Sequence, residues 1–268
     1  MPAANIDLTL LDLDTSDRPA TGLRLDGSEY GLEIPPHRHR KGQLILALHG
    51  AVTCTAAGGM WIVPPNCGVW VPGGIEHSNR STANALLSFL FIEPDAADLP
   101  NHCCTLSISP MIREMIDRLA DLPADYSPDS HTARFLRVLL DELALMPEEQ
   151  FKLPISDHPK IRLLARLLTS EPANRSTQAQ WAAQLALSER SLARLMVQET
   201  GLSFGRWRQQ LQLIIAMREL AAGASVQHVS HVLGYESVTA FILMFRKALG
   251  QTPARYFARK EPELPRGV

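Results

Sequence analysis

Two arginines four residues apart, Arg190 and Arg194, could donate hydrogen bonds to another molecule from one face of a helix. Residues at i and i+4 lie on one face of a helix, and a guanidinium can donate two hydrogen bonds to O6 and N7 of guanine in the major groove. The opposite face carries the apolar residues Leu192, Leu195 and Met196. We therefore predict a half-buried helix that offers both arginines to DNA. Solvated or phosphate-contacting arginines are the alternative.

The segment that must position these arginines contains one helical pattern written twice. Residues 181–196 and 229–245 each read as a short apolar helix, a turn and a second helix. A serine precedes the second helix in each copy, Ser188 in the first and Ser237 in the second. Serine is a favoured N-cap residue. The pattern predicts two helix-turn-helix units in tandem.

One long helix is predicted between the two units, from Phe204 to Ala222, with Gly223 as the residue that ends it. At ~1.5 Å per residue it would span roughly 28 Å. Two recognition helices at that separation suit major grooves that are one helical turn, roughly 34 Å, apart. A helical regulatory or oligomerisation domain is the alternative for the repeat alone.

The second unit offers different side chains on its matching face. Thr239, Ile242 and Leu243 stand where the first unit has Arg190, Ala193 and Arg194. An apolar side chain can touch a thymine methyl but cannot make a bidentate contact with a base. We therefore predict that the first unit reads bases and that the second mainly anchors the protein to phosphate. The predicted DNA-contacting residues are Ser188, Glu189, Arg190, Arg194, Ser237, Thr239, Arg246 and Lys247.

The distribution of charge favours DNA over another helical partner. Residues 156–268 hold 15 Lys and Arg against 8 Asp and Glu, a net charge of +7. Residues 1–155 hold 11 against 20, a net charge of −9, so the near-neutral total of −2 conceals a basic C-terminal part. A basic domain is the electrostatic footprint of a nucleic-acid binder.

Four stretches of the basic part resemble the AraC/XylS family of bacterial transcription regulators. They are Leu202-Ser-Phe-Gly-Arg-Trp-Arg, Leu233-Gly-Tyr-Glu-Ser, Ala240-Phe and Phe245-Arg-Lys-Ala-Leu-Gly-Gln-Thr-Pro-Ala-Arg-Tyr-Phe. The resemblance runs from His158 to Ala258. It implies double-stranded operator or promoter DNA as a partner, RNA polymerase as a further partner of an activator, and a possible homodimer.

The acidic part begins with short β-rich runs. They cover residues 43–49, 51–55, 60–63, 68–71 and 86–92, with Gly- and Pro-containing turns between them. Such regular spacing predicts a small antiparallel sandwich or barrel.

Two motifs in this region resemble the cupin barrel: Pro36-His-Arg-His39 followed by Gln43, and Pro72-Gly-Gly-Ile-Glu-His77. The resemblance implies a site made by His37, His39, Gln43 and His77, with Gln43 where the family has a carboxylate. Three imidazoles suit a divalent first-row metal ion. The alternative is an effector pocket lined by the same residues and walled by Trp61 and Trp70. The sequence is compatible with both.

Helices are predicted at residues 111–122 and 132–145, after an irregular segment from Pro94 to Pro110. The second helix carries an apolar stripe of Leu136, Leu139, Leu140 and Leu143, which would pack on the barrel or, slightly favoured, on a second copy. The predicted fold class is α+β, with an antiparallel cupin-like barrel followed by an all-α domain. The predicted division is a sensing domain (1–100), a helical linker (101–155) and a DNA-binding domain (156–268).

The composition of the chain indicates where in the cell the protein is expected. The chain has 268 residues, 46% of them hydrophobic, and its first 20 contain four aspartates and no basic stretch typical of a signal peptide. No apolar run reaches the ~18 residues that span a bilayer. Cys54, Cys67, Cys103 and Cys104 show no zinc-binding spacing and read as buried or idle thiols. We expect a protein of the bacterial cytoplasm, on the nucleoid when bound to DNA, without a membrane partner.

Two classes of function remain. The first is a transcription regulator that responds to a small-molecule effector through the barrel. The second is a metal-dependent cupin enzyme, such as a dioxygenase, with a DNA-binding appendage. Gln43 in place of a carboxylate and the share of the chain devoted to DNA favour the regulator, so no catalytic residue is predicted.

Overall fold

In a computed structural model, two β-sheets are followed by a helical domain. The structure describes residues 4–5, 14, 17–26, 31–63, 67–149 and 152–257, so most of the aspartate-rich start of the chain lies outside it. The strands are β1 (Ala4–Asn5), β2 (Ala20–Asp26), β3 (Leu32–His37), β4 (Gly42–His49), β5 (Val52–Ala56), β6 (Gly59–Ile62), β7 (Cys67–Val71), β8 (His77–Ser81), β9 (Leu86–Ile92), β10 (Cys104–Ser107), β11 (Glu148–Glu149) and β12 (Lys152–Pro154). The helices are α1 (Pro110–Ala120), α2 (His131–Ala144), α3 (Pro159–Ser170), α4 (Gln178–Gln184), α5 (Glu189–Thr200), α6 (Phe204–Ala221), α7 (Val226–Val232), α8 (Val238–Leu249) and α9 (Pro253–Tyr256).

The strands form two six-stranded sheets. Sheet A has the order β1-β3-β8-β5-β6-β12, and sheet B has the order β11-β10-β7-β4-β9-β2. Apart from the parallel pair β1–β3, the paired strands of the described residues are antiparallel. The predicted antiparallel β domain is confirmed. The segment predicted to be irregular is not wholly so, because β10 lies inside it and pairs with β7.

Sheet B is covered on both faces. Its inner side chains, such as Ile45, Val69 and Phe89, meet those of sheet A in one apolar core. Its outer side chains meet α1 and α2 in another core, which includes the stripe Leu136, Leu139, Leu140 and Leu143. The prediction that this stripe packs on a second copy is therefore wrong: the stripe is already buried within the chain.

The helical domain packs around α6 and touches the outer face of sheet A. Ile62 and Leu153 of that sheet share a core with the helices. Two polar contacts reinforce the junction. The indole of Trp207 donates to the Pro154 carbonyl at 2.8 Å, and Asn84 Nδ2 donates to the carbonyl oxygen of Ala221 at 3.0 Å. The sensing and DNA-binding parts thus meet through β6, β12 and α6.

Across the described ranges, no helix combines the length and apolar character required to cross a membrane.

Candidate functional site

The first helix-turn-helix unit consists of α4 and α5, and its local sequence explains its shape. Thr177 and Gln180 form a reciprocal capping box at the start of α4. The hydroxyl oxygen of Ser188 accepts from the Ser191 amide at the start of α5, which confirms the predicted N-cap. Gly201 ends α5 with φ of 71°, in the left-handed region that glycine adopts without strain.

The arginines of α5 lie on its open face. Leu192 and Met196 are fully buried, whereas Arg190 and Arg194 are exposed. Within the described residues, neither arginine takes part in an ion pair. Val197, one turn beyond Arg194, is 54% exposed. Both guanidinium groups are therefore available to a polyanion.

The second unit, α7 and α8, repeats this architecture with different exposed chemistry. Ser237 caps α8 by accepting from the Ala240 amide, and Gly250 ends it with φ of 74°. Phe241 and Phe245 are fully buried. The exposed residues on the other side are Thr239, Arg246, Lys247 and Leu243, the last of these 60% exposed. Ile242 lies partly against the core, so it presents less surface than the sequence pattern indicates.

Sequence reasoning missed two arginines that tie the units together. Arg175, in the loop before α4, donates to the carbonyl of Gly234 in the turn of the second unit and stacks 5.4 Å from the Tyr235 ring centre. Arg208 of α6 donates to the carbonyls of Asn174 and Ser176. The Arg175 bonds join the loop before α4 to the turn of the second unit, and the Arg208 bonds hold the same loop against α6. Both arginines bond to loop carbonyls, which no local sequence pattern predicts.

In the β domain, the structure brings the four residues of the predicted metal site together. Strand pairing places His37 opposite His77, and the ring centres of His37, His39 and His77 lie 4.3–5.7 Å apart. Gln43 lies on the inner face of β4, with its Oε1 2.9 Å from Nε2 of His39 and 3.1 Å from Nε2 of His77.

Backbone carbonyls orient all three rings in the same way. Nδ1 of His37 lies 2.8 Å from the Pro35 oxygen, Nδ1 of His39 lies 2.6 Å from the Lys41 oxygen, and Nδ1 of His77 lies 2.9 Å from the Ile75 oxygen. A carbonyl only accepts, so Nδ1 is a protonated nitrogen in each ring, and the neutral form of the ring has its lone pair on Nε2. Metal-binding histidines are anchored in this manner.

His77 is held in its neutral form. Burial, and secondarily the neighbouring imidazoles of His37 and His39, lower its pKa to about 4, against the bond to Ile75 that raises it. Its Nε2 is then an acceptor that faces the Gln43 amide. The contact is favourable with the NH₂ group of the amide turned toward the ring, or with a cation between them.

Two buried amides near this cluster have polar atoms without a hydrogen-bond partner among the residues that the structure describes. They are Nε2 of Gln43 and both Nδ2 and Oδ1 of Asn79. Asn79 follows His77 by two residues on β8, so the two side chains share the inner face of sheet A. Buried polar atoms are normally bonded, so these amide atoms are candidate contacts for a polar ligand or for water.

The two tryptophans predicted to line the pocket belong to different cores, one between the sheets and one on the outer face of sheet B. Trp61 is buried in the core between the sheets. Trp70 points away from that core: it joins the layer beneath α1 and α2, and its Nε1 donates to the Pro100 carbonyl at 2.7 Å. The prediction that Trp70 walls the barrel pocket is therefore wrong.

A cavity of about 620 Å³ lies outside the barrel interior, beside α2. Its lining includes Arg18, Glu93, Tyr126 and Arg137, and none of the three clustered histidines contributes to it.

Comparison with known proteins assigns this architecture to a family. Residues 22–152 match the family described as "AraC-like ligand binding domain", and residues 181–259 match "Helix-turn-helix domain". Over 228 residues the chain is 56% identical to the HTH-type transcriptional regulator NimR of Escherichia coli strain K12, which covers 85% of this chain and 84% of NimR. The chain therefore belongs to the AraC family of transcription regulators, with an N-terminal ligand-binding domain and a C-terminal DNA-binding domain.

Two further similarities are more limited. The chain is 29% identical over 103 residues to the HTH-type transcriptional regulator RipA of Corynebacterium glutamicum, a match that covers 38% of this chain and 31% of RipA. A crystal structure of unsaturated fatty acid bound ToxT from Vibrio cholerae aligns with a TM-score of 0.38 at 10% identity, over 88% of this chain and 93% of that one.

Proposed function

We propose that this regulator reads its operator mainly with α5, anchors itself with α8, and senses its effector at the histidine cluster of the barrel. The proposal that α5 reads bases and α8 anchors rests on the different side chains that the two helices expose. Arg190 and Arg194 are exposed on α5, whereas the matching face of α8 exposes Thr239 and Leu243. Arginine can discriminate guanine, but leucine can only touch a thymine methyl.

The anchoring role of α8 rests on charge and helix geometry. Arg246 and Lys247 are exposed near its C-terminal end, and the capped N-terminus at Ser237 adds the positive end of a helix dipole. At the N-terminus of α5, Ser188 and Glu189 are exposed beside the reading arginines. Contacts to phosphate supply affinity and register but no sequence preference.

The effector proposal rests on the polar groups inside the barrel. Three imidazoles, from His37, His39 and His77, converge there beside amide atoms of Gln43 and Asn79 that have no hydrogen-bond partner in the described part of the chain. An effector that offers hydrogen-bond donors to the imidazoles and a polar group to Asn79 would satisfy this set. Trp61 supplies part of the apolar wall on the same inner face.

A divalent metal ion at the same cluster is the second candidate, and the anchored Nδ1 atoms are the observation that favours it. His37, His39 and His77 would supply the ligands, with Gln43 as a weak oxygen donor. Such an ion would supply a Lewis-acidic point at which an effector with a carboxylate or hydroxyl group could bind.

We propose a regulatory rather than an enzymatic barrel. The side chain that contacts His39 and His77 belongs to Gln43, and an amide cannot act as a general acid or base. We further propose that the protein acts in the bacterial cytoplasm as a homodimer on the nucleoid. It would contact RNA polymerase if it activates transcription. The domain division at about residue 155 is part of the same proposal, with 1–100 as sensor and 101–155 as linker.

The test uses the purified full-length protein and fragments of genomic DNA, retained with and without candidate metabolites. Fragments that are retained sequence-specifically, and whose affinity changes with one metabolite, support the proposal. His37→Ala and His77→Ala should keep the effector-free affinity but lose the response to that metabolite. His131→Ala, which changes an exposed histidine of α2, is the matched control and should respond normally. An unaltered response in His77→Ala would move the sensing site elsewhere.

A further inference from the structure

A second group of metal-binding side chains lies outside the histidine cluster of the barrel. It consists of His102, Cys104 and Glu148, whose ligand atoms all lie within 4.8 Å of one another. Nε2 of His102 and a carboxylate oxygen of Glu148 are 3.1 Å apart. The three residues have no metal-binding spacing in the sequence, since Glu148 follows Cys104 by 44 positions.

Strand pairing brings these residues together. β10 pairs with β11, with Leu106 opposite Glu148. Side chains alternate along a strand, so Cys104 shares the face of Leu106 and is a diagonal neighbour of Glu148. The neighbouring thiol, Cys103, packs instead against the core between the sheets. Only one of the two adjacent cysteines is thus directed at the histidine and the carboxylate.

The dimensions fit a small tetrahedral ion. Zinc binds sulfur at about 2.3 Å and nitrogen or oxygen at about 2.0–2.2 Å. Tetrahedral angles then place neighbouring ligand atoms about 3.3–3.7 Å apart. The observed 3.1 Å between His102 and Glu148 is close to this range, and the other pairs, within 4.8 Å, need to close by at most about 1.5 Å.

The three side chains differ in how far they are exposed to solvent. Cys104 is buried, which fixes its position. The side chains of His102 and Glu148 are 59% and 48% exposed, so they can rotate onto an ion and leave its fourth position to water. A surface ion pair between His102 and Glu148 alone would contribute little to stability.

We propose that His102, Cys104 and Glu148 form a binding site for a zinc-type divalent metal ion. The donor set of one thiolate, one imidazole and one carboxylate suits zinc or cobalt rather than magnesium or calcium. Binding would displace the thiol proton of Cys104. It would also link the loop before β10 to Glu148, in the segment through which the chain passes into the DNA-binding domain.

The test is a titration of the metal-free full-length protein with Co²⁺, followed by near-ultraviolet absorption. Thiolate ligation produces a sulfur-to-cobalt charge-transfer band that imidazole or carboxylate ligation does not. The His77→Ala background removes the barrel cluster as a competing site. We expect the band in that background and its displacement by equimolar Zn²⁺.

Substitutions identify the ligands. Cys104→Ser should abolish the band, whereas the matched variant Cys103→Ser should retain it. His102→Gln and Glu148→Gln change exposed side chains, so they keep the test valid if Cys104→Ser fails to fold. Each should weaken Co²⁺ binding by at least the roughly 10–100-fold that outer-shell changes cost. Absence of the band in the wild-type protein, its survival in Cys104→Ser, or its loss in Cys103→Ser would overturn the proposal.

Discussion

The exposed arginine at the centre of α5 offers the sharpest perturbation of DNA recognition. Arg194 is exposed, and within the part of the chain that the structure describes it makes no ion pair. Its replacement by alanine leaves the buried residues Leu192 and Met196 untouched. We therefore expect Arg194→Ala to change the free energy of unfolding by less than about 0.5 kcal/mol.

Its effect on DNA binding should be large and local. Loss of a bidentate contact with guanine costs about 1–3 kcal/mol, which is about a 5- to 140-fold rise in Kd at 1.4 kcal/mol per tenfold. The loss should fall mainly on operators that carry the contacted base pair, and the preference at that pair should relax. Lys247→Ala is the matched variant on α8. It should weaken all sequences alike and reduce the salt dependence of binding by about one unit of slope.

The assay is fluorescence anisotropy with the operator, its single-base-pair variants and random DNA, each at several salt concentrations. Circular dichroism of both variants controls for folding. If Arg194→Ala and Lys247→Ala weakened operator and random DNA equally, the division between reading and anchoring helices would be wrong.

Three further predictions concern stability, each measured by chemical denaturation. Phe241→Ala should cost about 3–5 kcal/mol because the ring is fully buried, whereas Leu243→Ala, exposed on the same helix, should change stability by less than about 0.5 kcal/mol; equal losses would refute the burial argument. Trp207→Phe removes the donor to the Pro154 carbonyl and should cost about 1–3 kcal/mol; an unchanged unfolding midpoint would show that this bond does not support the junction. Burial lowers the pKa of His77 from 6.5 to about 4. Between these pH values, in the metal-free protein, His77 therefore binds a proton in the unfolded chain but not in the folded one. The free energy of unfolding should then fall by up to about 3 kcal/mol as pH drops from about 6.5 to about 4. A protein with His77→Gln should lose that part of the pH dependence, and an identical pH profile would contradict the shift.

The helical domain was predictable because its signals are local. The serine caps at Ser188 and Ser237 and the glycine after the long helix, Gly223, each lie next to the helix end that they predict. The positive net charge of the C-terminal part then favours a DNA-binding domain over other kinds of helical domain.

The β domain was predictable only in outline. In β8, the inner positions hold His77 and Asn79, so the apolar alternation that reveals a strand is absent. In β7, apolar residues occupy both faces because both faces of sheet B are covered. The pattern therefore could not tell which way Trp70 points. The group of Cys104 and Glu148 depends on a strand pairing between distant segments, which no local pattern encodes.

A saturation scan of a bound operator tests the central claim most directly. Every base pair is replaced in turn, and the affinity of the wild-type protein for each variant is measured. Substitutions in the half that faces Arg190 and Arg194 should each cost about 1–3 kcal/mol. Substitutions one helical turn away should cost less, except where they replace a thymine whose methyl meets Ile242 or Leu243. Equal, strong penalties at G·C pairs in both halves would contradict the account, because Thr239, Ile242 and Leu243 on the reading face of α8 offer no bidentate contact with guanine.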